Sequence, residues 1–234
     1  ASIAAEVVTL NGTTITNTHA IDTAVRFIDA LIVNVCWFGA VGDGVTDDAT
    51  AIAAAITAAN AAAAFTRSAA TVWLPPGYEF YCASPVAVGS EVSFIMDSPL
   101  VYGGSTWPAL TIGSTSSGTV ATYKRYRVWV ERNAWTDWTA DSGNAIIGAR
   151  IANVLASDIE IHLAYRFTIG VQLYSNTQGI AYNTFRLNRI IDCRIGRELR
   201  AVTSAGWCNE NLFLSGSFNA ASAIAQHTNR NAEI

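Results

Sequence analysis

Two stretches of this chain carry one pattern 26 residues apart: Ser157-Asp-Ile-Glu-Ile-His162 and Asn183-Thr-Phe-Arg-Leu-Asn188. At the same offset Ile169-Gly170 falls on Ile195-Gly196, and Leu173 on Leu199. A third copy, Asn211-Leu-Phe-Leu-Ser215, begins 28 residues after Asn183, and Arg127-Val-Trp-Val-Glu131 precedes in the same style with a longer insertion between. A period in the twenties with one strand pattern and a recurring glycine is the mark of a solenoid. A single coil cannot bury its apolar face alone, so coils stack. Alternation along a strand then sorts the side chains. Val128, Val130, Ile159, Ile161, Phe185 and Leu187 point inward, and Trp129, Glu131, Asp158, Glu160, His162 and Arg186 point outward. With parallel coils about 4.8 Å apart, Trp129, Glu160 and Arg186 are expected to form an outward ladder.

A second stretch organises the start of the chain. The apolar run Leu31–Phe38 reads as a strand, and Gly39, Gly42 and Gly44 follow within six residues. Thr46, Asp47 and Asp48 then stand where a helix begins, and a hydroxyl or carboxylate there accepts from the first free N–H groups. That helix is expected from Asp48 to Phe65, with Ile52 and Ile56 on one face. Strand, glycine loop and helix also describe a dinucleotide-binding turn, but the spacing is G-x-x-G-x-G rather than G-x-G-x-x-G. Asp43, Asp47 and Asp48 would also repel a pyrophosphate at the helix N-terminus. Asp43, Thr46, Asp47 and Asp48 therefore read as structural caps.

Phe38-Gly-Ala-Val-Gly-Asp-Gly-Val-Thr-Asp-Asp48, the Ala/Ile helix and Val72-Trp-Leu-Pro-Pro-Gly-Tyr78 resemble the opening of the pectate-lyase-like right-handed parallel β-helix superfamily. That superfamily includes bacteriophage tailspikes and bacterial polysaccharide-degrading enzymes. The tail Gly206–Phe218 is similar to its phage-type members, so the resemblance covers about residues 35–220. It implies an all-β fold: a right-handed single-stranded parallel β-helix closed at its N-terminal end by the α-helix. It also implies a homotrimer, a bacterial surface polysaccharide as ligand, and contacts with other tail proteins, in a virion or otherwise extracellularly. Residues 1–35 read as a connecting or neck segment and 36–234 as the β-helix domain, with 36–66 its strand, Gly-Asp turn and cap helix. In the first segment Asn11-Gly12 is a hairpin signal, and His19–Ala30 a short helix; His19 is given no role. An exposed last coil would leave an unpaired edge, so the chain is expected to be a fragment or to be covered there.

Composition excludes some partners. Net charge is −4 over 234 residues, with Lys124 the single lysine beside 13 arginines, which argues against a nucleic acid partner. At 51% hydrophobic and 14% charged residues the chain suits buried stacks or a subunit interface, yet no apolar run spans a membrane. No secretory signal is read in residues 1–30. Cys36, Cys82, Cys193 and Cys208 lack metal-ligand spacing. They read as buried thiols, with a Cys193–Cys208 disulfide left open, and neither metal nor cofactor is expected.

Glycan hydrolysis needs two carboxyl groups at a defined separation. Glu160, with Asp158 two residues before it, is the candidate acid; Glu131 is a second carboxylate and His162 a general base or orienting group. Trp129, Arg186, Trp135 and Trp138 are candidate sugar-binding residues, the last two in the long insertion between coils; packing at a subunit interface is the competing reading for them. Trp107 and Trp207 are weighed with the same caution. A lyase reaction is the alternative chemistry, served by Arg186, Arg189, Arg194, Arg197 and Arg200. The same arginines can instead pair with Glu198 and Asp192. As alternatives to a glycan-binding tailspike stand a non-catalytic virion rod and a secreted pectate-lyase-like enzyme.

Overall fold

A computed structural model of the chain describes residues 7–10, 13–16, 32–66, 70–116, 118–176, 178–214 and 216–219. Val7–Leu10 and Thr13–Thr16 pair antiparallel; the Asn11-Gly12 signal itself lies outside the described residues. The helix expected over His19–Ala30 lies outside the described residues.

From Ile32 on, the chain is mostly β, and its strands fall into parallel sheets. One sheet runs through Ile32–Asn34, Thr71–Leu74, Ser93–Met96, Arg125–Arg132, Asp158–Tyr165, Thr184–Leu187 and Leu212–Leu214. A second takes Val86–Ala87, Leu110–Gly113, Ile147–Ala152, Ile169–Ser175 and Ile195–Ala201. A third takes the short pairs Ala121–Thr122, Val154–Leu155, Ile180–Ala181 and Cys208–Asn209. In the later passes each circuit of the chain lays one strand on each sheet, so neighbours in a sheet are separated in sequence by a whole coil. The 26-residue offset is the observed register: Ile159 pairs with Phe185 and Ile169 with Ile195. The next coil is two residues longer, and Phe185 pairs with Phe213.

Alternation puts one column of side chains inside. Val33, Val72, Phe94, Tyr126, Ile159, Phe185 and Phe213 are successive neighbours across the first sheet. All but Phe213 are buried; the Phe185 and Phe213 rings stack with centroids 5.0 Å apart. Amide side chains hold the bend from the third sheet into the first. Asn183 Oδ1 accepts from Ser157 N at 2.9 Å and its Nδ2 donates to Val154 O at 2.8 Å. Asn211 repeats this one coil on, accepting from Asn183 N at 3.2 Å and donating to Ile180 O at 2.8 Å. Tyr123, Ala156, Tyr182 and Glu210, at the equivalent point of successive coils, are left-handed, with φ between 49° and 59°. That conformation costs a non-glycine residue about 1–3 kcal/mol. The turn therefore depends on such amide bonds and on the stacking around it.

The helix runs over Ala49–Thr66. Ile52, Ala55, Ile56 and Ala59 are its buried stripe, set against the first strands of the first two sheets. The residues read as its caps divide their work. Asp47 Oδ1 accepts from the helix residue Ala49 at 3.1 Å and from Ala83 N at 3.1 Å. Asp48, buried, turns back instead and accepts from Val41 N at 2.6 Å and Gly42 N at 3.1 Å. Burial pushes its carboxyl above the ordinary value against those two bonds. Asp43 closes its own turn, accepting from Val45 N, Thr46 N and the Thr46 hydroxyl. The carboxylates thus tie down the glycine loop, because its N–H groups lie closer than the helix's own. Cys193 and Cys208 are free thiols, as are Cys36 and Cys82, so the disulfide left open by the sequence does not form. Burial raises the Cys193 thiol to about 12.

Candidate functional site

The outward column of the first sheet is Asn34, Trp73, Ile95, Arg127, Glu160, Arg186 and Leu214, each opposite the next. At its middle is a groove of about 350 Å³, lined among others by Asp97, Arg125, Arg127, Asp158, Glu160 and Arg186. Three carboxylates and three guanidiniums face one another there. Arg127 is shared: its Nε donates to Glu160 Oε2 at 3.0 Å, and its NH1 donates to Asp97 Oδ1. Burial works against the Arg127 charge, but Glu160 and Asp97 outweigh it and hold the pKa above the ordinary value. Asp97 also accepts from Trp73 Nε1 at 2.8 Å, and Glu160 Oε1 accepts from Asn188 Nδ2 at 2.9 Å. Asp158 pairs with Arg186 at 2.5 Å. Only 19% of the Glu160 side-chain surface is exposed, so its carboxylate is fixed in direction while still reached from the groove.

Asp158 and Glu160 are two residues apart on one strand face, their backbones about 6.6 Å apart along the strand, which places two carboxylates side by side at the groove. Inverting glycoside hydrolysis uses carboxyl groups roughly 6.5–9.5 Å apart, with a water between. Glu131 is not part of this pair. A register shift between Val128 and Trp129 sets Trp129 opposite Leu163 and Glu131 opposite Tyr165. The register ahead of that shift already sets Arg127, not Trp129, opposite Glu160, so Arg127 takes the place expected for Trp129 in the ladder. Trp129 instead packs its ring on His162, centroids 4.6 Å apart, and donates from Nε1 to Glu131 Oε1 at 2.7 Å. His162 Nδ1 lies 3.9 Å from Glu160 Oε1, too long for a hydrogen bond but close enough to orient charge.

The insertion between coils folds over the end of these strands. Trp138 is buried and donates from Nε1 to Phe167 O at 3.2 Å. Its ring is therefore covered by this chain's own coils, which removes it from the sugar-stacking residues. Trp135 is 55% exposed. Arg194 pins the insertion from two coils on, donating to Trp138 O at 2.7 Å and Asp141 O at 2.9 Å. Asp141 accepts from Ala145 N at 2.8 Å and Ile146 N at 3.0 Å. Burial raises its carboxyl, but Thr168, these two N–H groups and Arg194 together hold it below the ordinary value. A depressed carboxylate contributes stability above its unfolded pKa, about 3.9, and loses it as pH falls through the lower folded value. Acidification from pH 5 to 2 is therefore expected to loosen the insertion. Trp138 fluorescence, followed in an Asp141→Asn variant as control, checks this: the acid transition should be smaller in the variant.

The other arginines divide. Arg197 is buried inside the stack, with its guanidinium 3.9 Å from the Phe213 ring centre. Arg189 and Arg200 are exposed, and Glu198 accepts from Gln172 rather than from an arginine. A second polar row, Arg150, Gln172 and Glu198, was missed by sequence reasoning: Arg150 Nε donates to Gln172 Oε1 at 2.6 Å and the buried Gln172 donates from Nε2 to Glu198 Oε2 at 2.5 Å. Asp97 was missed as well. Among the described residues no group of three or more His, Cys, Asp or Glu is gathered as a metal would need. No helix among them is long and apolar enough to cross a membrane.

Comparison with solved structures finds the fold in the ORF18 protein of Geobacillus virus E2, with a TM-score of 0.59 and 15% identity. The alignment covers 94% of this chain and 50% of that one, so this chain spans half the length of that neighbour. No curated protein matches the sequence. The family model described as rhamnogalacturonase A/epimerase, pectate lyase-like, matches residues 32–231. Parallel strands stacked at a period of one coil, the helix against the first strands and this match together make the chain a member of the rhamnogalacturonase A/epimerase, pectate-lyase-like family.

Proposed function

We propose that this protein binds a bacterial surface polysaccharide in the Arg127–Glu160 groove and depolymerises it by hydrolysis, as a tailspike-like component of a phage particle. The observation that carries the reading is the groove itself. Two carboxylates, Asp158 and Glu160, guanidiniums that match the donor geometry of an acidic or hydroxyl-rich sugar, and the Trp129 ring stand on one outward strand face. In this reading Glu160, oriented by Arg127 and Asn188, acts on water or on the glycosidic bond; Asp158 is the second carboxyl, and Arg186 and Trp129 bind sugar. Glu131 and His162 orient Trp129 and the neighbouring charge. Membership of the family and the viral structural neighbour support the polysaccharide and virion parts of the proposal.

The coil is a right-handed β-helix in this reading, capped by the Ala49–Thr66 helix, with residues 1–35 as the connecting segment. Three copies assemble as a homotrimer beside other tail proteins. Binding without cleavage is the second reading, favoured by one observation: each groove carboxylate already has an arginine partner. The test is incubation of the protein with capsular and O-antigen polysaccharides and with pectins. New reducing ends without ultraviolet absorbance from unsaturated products establish the hydrolase; both signals establish a lyase. Binding with neither signal establishes the non-catalytic reading, and no binding to any glycan overturns both.

A further inference from the structure

The strand that carries Glu160 ends in a second group of side chains. The Arg166 guanidinium lies 5.9 Å from the ring centre of the exposed Trp135 and 4.4 Å from that of Tyr165. Arg132 lies 5.2 Å from the Trp107 ring and donates to Thr136 Oγ1 at 2.7 Å. The Thr136 hydroxyl donates in turn to the Arg166 carbonyl, so the two arginines are joined through one residue of the insertion. Among the described residues neither forms an ion pair with a carboxylate. The buried Nε of Arg166 has no hydrogen-bond partner among them. Arg166 also adopts φ 68°, a backbone conformation that a long side chain seldom takes without compensation. Burial holds the Arg132 pKa below its ordinary value, and the Asp141 charge offsets this only in part. Two guanidiniums set among aromatic rings, with no carboxylate in ion-pair contact among the described residues and only the more distant Asp141 charge acting on Arg132, form a site with room for a negative charge.

We propose that this cluster is an anionic subsite for a carboxylate-bearing sugar unit, with the Trp135 ring against the sugar face and Arg166 and Arg132 toward the carboxylate. The inference rests on the glycan reading above and adds a direction to it. Tyr165 follows Glu160 by five residues, about 16 Å along the strand, and His162 with Trp129 lies between. The bound chain then runs along the strand Asp158–Tyr165 rather than across the coils, spanning several sugar units from the groove to the insertion. Cation–aromatic pairs and ring stacking on an exposed tryptophan each contribute on this scale.

Calorimetric titration with hexagalacturonate and its fully methyl-esterified form tests the subsite, in a Glu160→Gln background that prevents turnover. The acid form is expected to bind at least tenfold more tightly than the ester. Arg166→Gln should weaken the acid about tenfold and leave the ester within threefold, whereas Trp135→Ala should weaken acid and ester alike and Trp135→Phe should retain most of the affinity. Thermal midpoints equal to that of the background show that the variants are folded, and Trp135, being exposed, should tolerate both changes. Equal binding of acid and ester, no binding of either, or variants that bind the acid as the background does would overturn the subsite. The groove reading is decided separately, by the polysaccharide panel.

Discussion

Glu160→Gln is expected to lower turnover of a cleaved polysaccharide by about 10²–10⁴-fold, the usual contribution of a positioned acid–base group, while leaving affinity within about threefold. The geometry explains why the two should separate. Glutamine keeps the size of the side chain and one oxygen for Arg127 Nε, now 3.0 Å from Glu160 Oε2. Its new amide can donate to Asn188 if that side chain turns its own oxygen inward, so the groove keeps its shape and loses only the carboxylate. Arg127 then retains Asp97 as its anion, which spares the variant an unpaired guanidinium. Initial rates of reducing-end release, with calorimetric affinity for the same glycan, check the split. Unchanged turnover removes Glu160 from the chemistry; lost affinity at unchanged turnover per bound complex makes it a binding residue only.

The largest effect on stability is expected at Phe185. Its ring is fully buried, has Ile159 opposite it on one side and stacks on Phe213 on the other at an interplanar angle of 14°. Truncating a buried phenylalanine to alanine costs about 3–5 kcal/mol. In a stack where each coil touches chiefly its neighbours, that loss falls on the last described coils. Urea unfolding of Phe185→Ala should show a fall in this range. The exposed neighbour Arg186→Ala should change stability by less than about 1 kcal/mol, since its ion pair with Asp158 lies on the surface. Equal small effects at both positions would mean that the column is not the core of the stack.

The stacked coils were legible because the property that builds them is local. Strand alternation and a repeated offset are written into Ser157–His162 and Asn183–Asn188, and the pairing follows them residue by residue. The site was legible only in part. Glu160, Asp158 and Arg186 share a groove because no bulge intervenes between their strands. Trp129 and Glu131 continue the same alternation in sequence, yet the register sets Arg127 opposite Glu160, and the shift at Val128/Trp129 carries Trp129 and Glu131 one residue further along the partner strand; neither the pairing offset between these two strands nor the extra residue is written in the alternation. Asp97 lies in a turn after Ser93–Met96, and only folding brings it to Arg127, 30 positions away. Trp135 and Trp138 look equivalent in sequence. One is exposed and the other buried because Arg194, two coils on, draws the insertion down over Trp138. Arg197 has the composition of a surface residue but falls on an inward position of its strand, behind Val171.

The most direct test is a crystal structure of Glu160→Gln bound to a fragment of the polysaccharide that the wild-type protein cleaves or binds most tightly. The account predicts sugar density in the groove between Asp97 and Arg186, with the bond to be cut beside residue 160 and the chain leading past Trp129 toward Trp135. Density on the Arg150–Gln172–Glu198 face instead, with the groove empty, would contradict it.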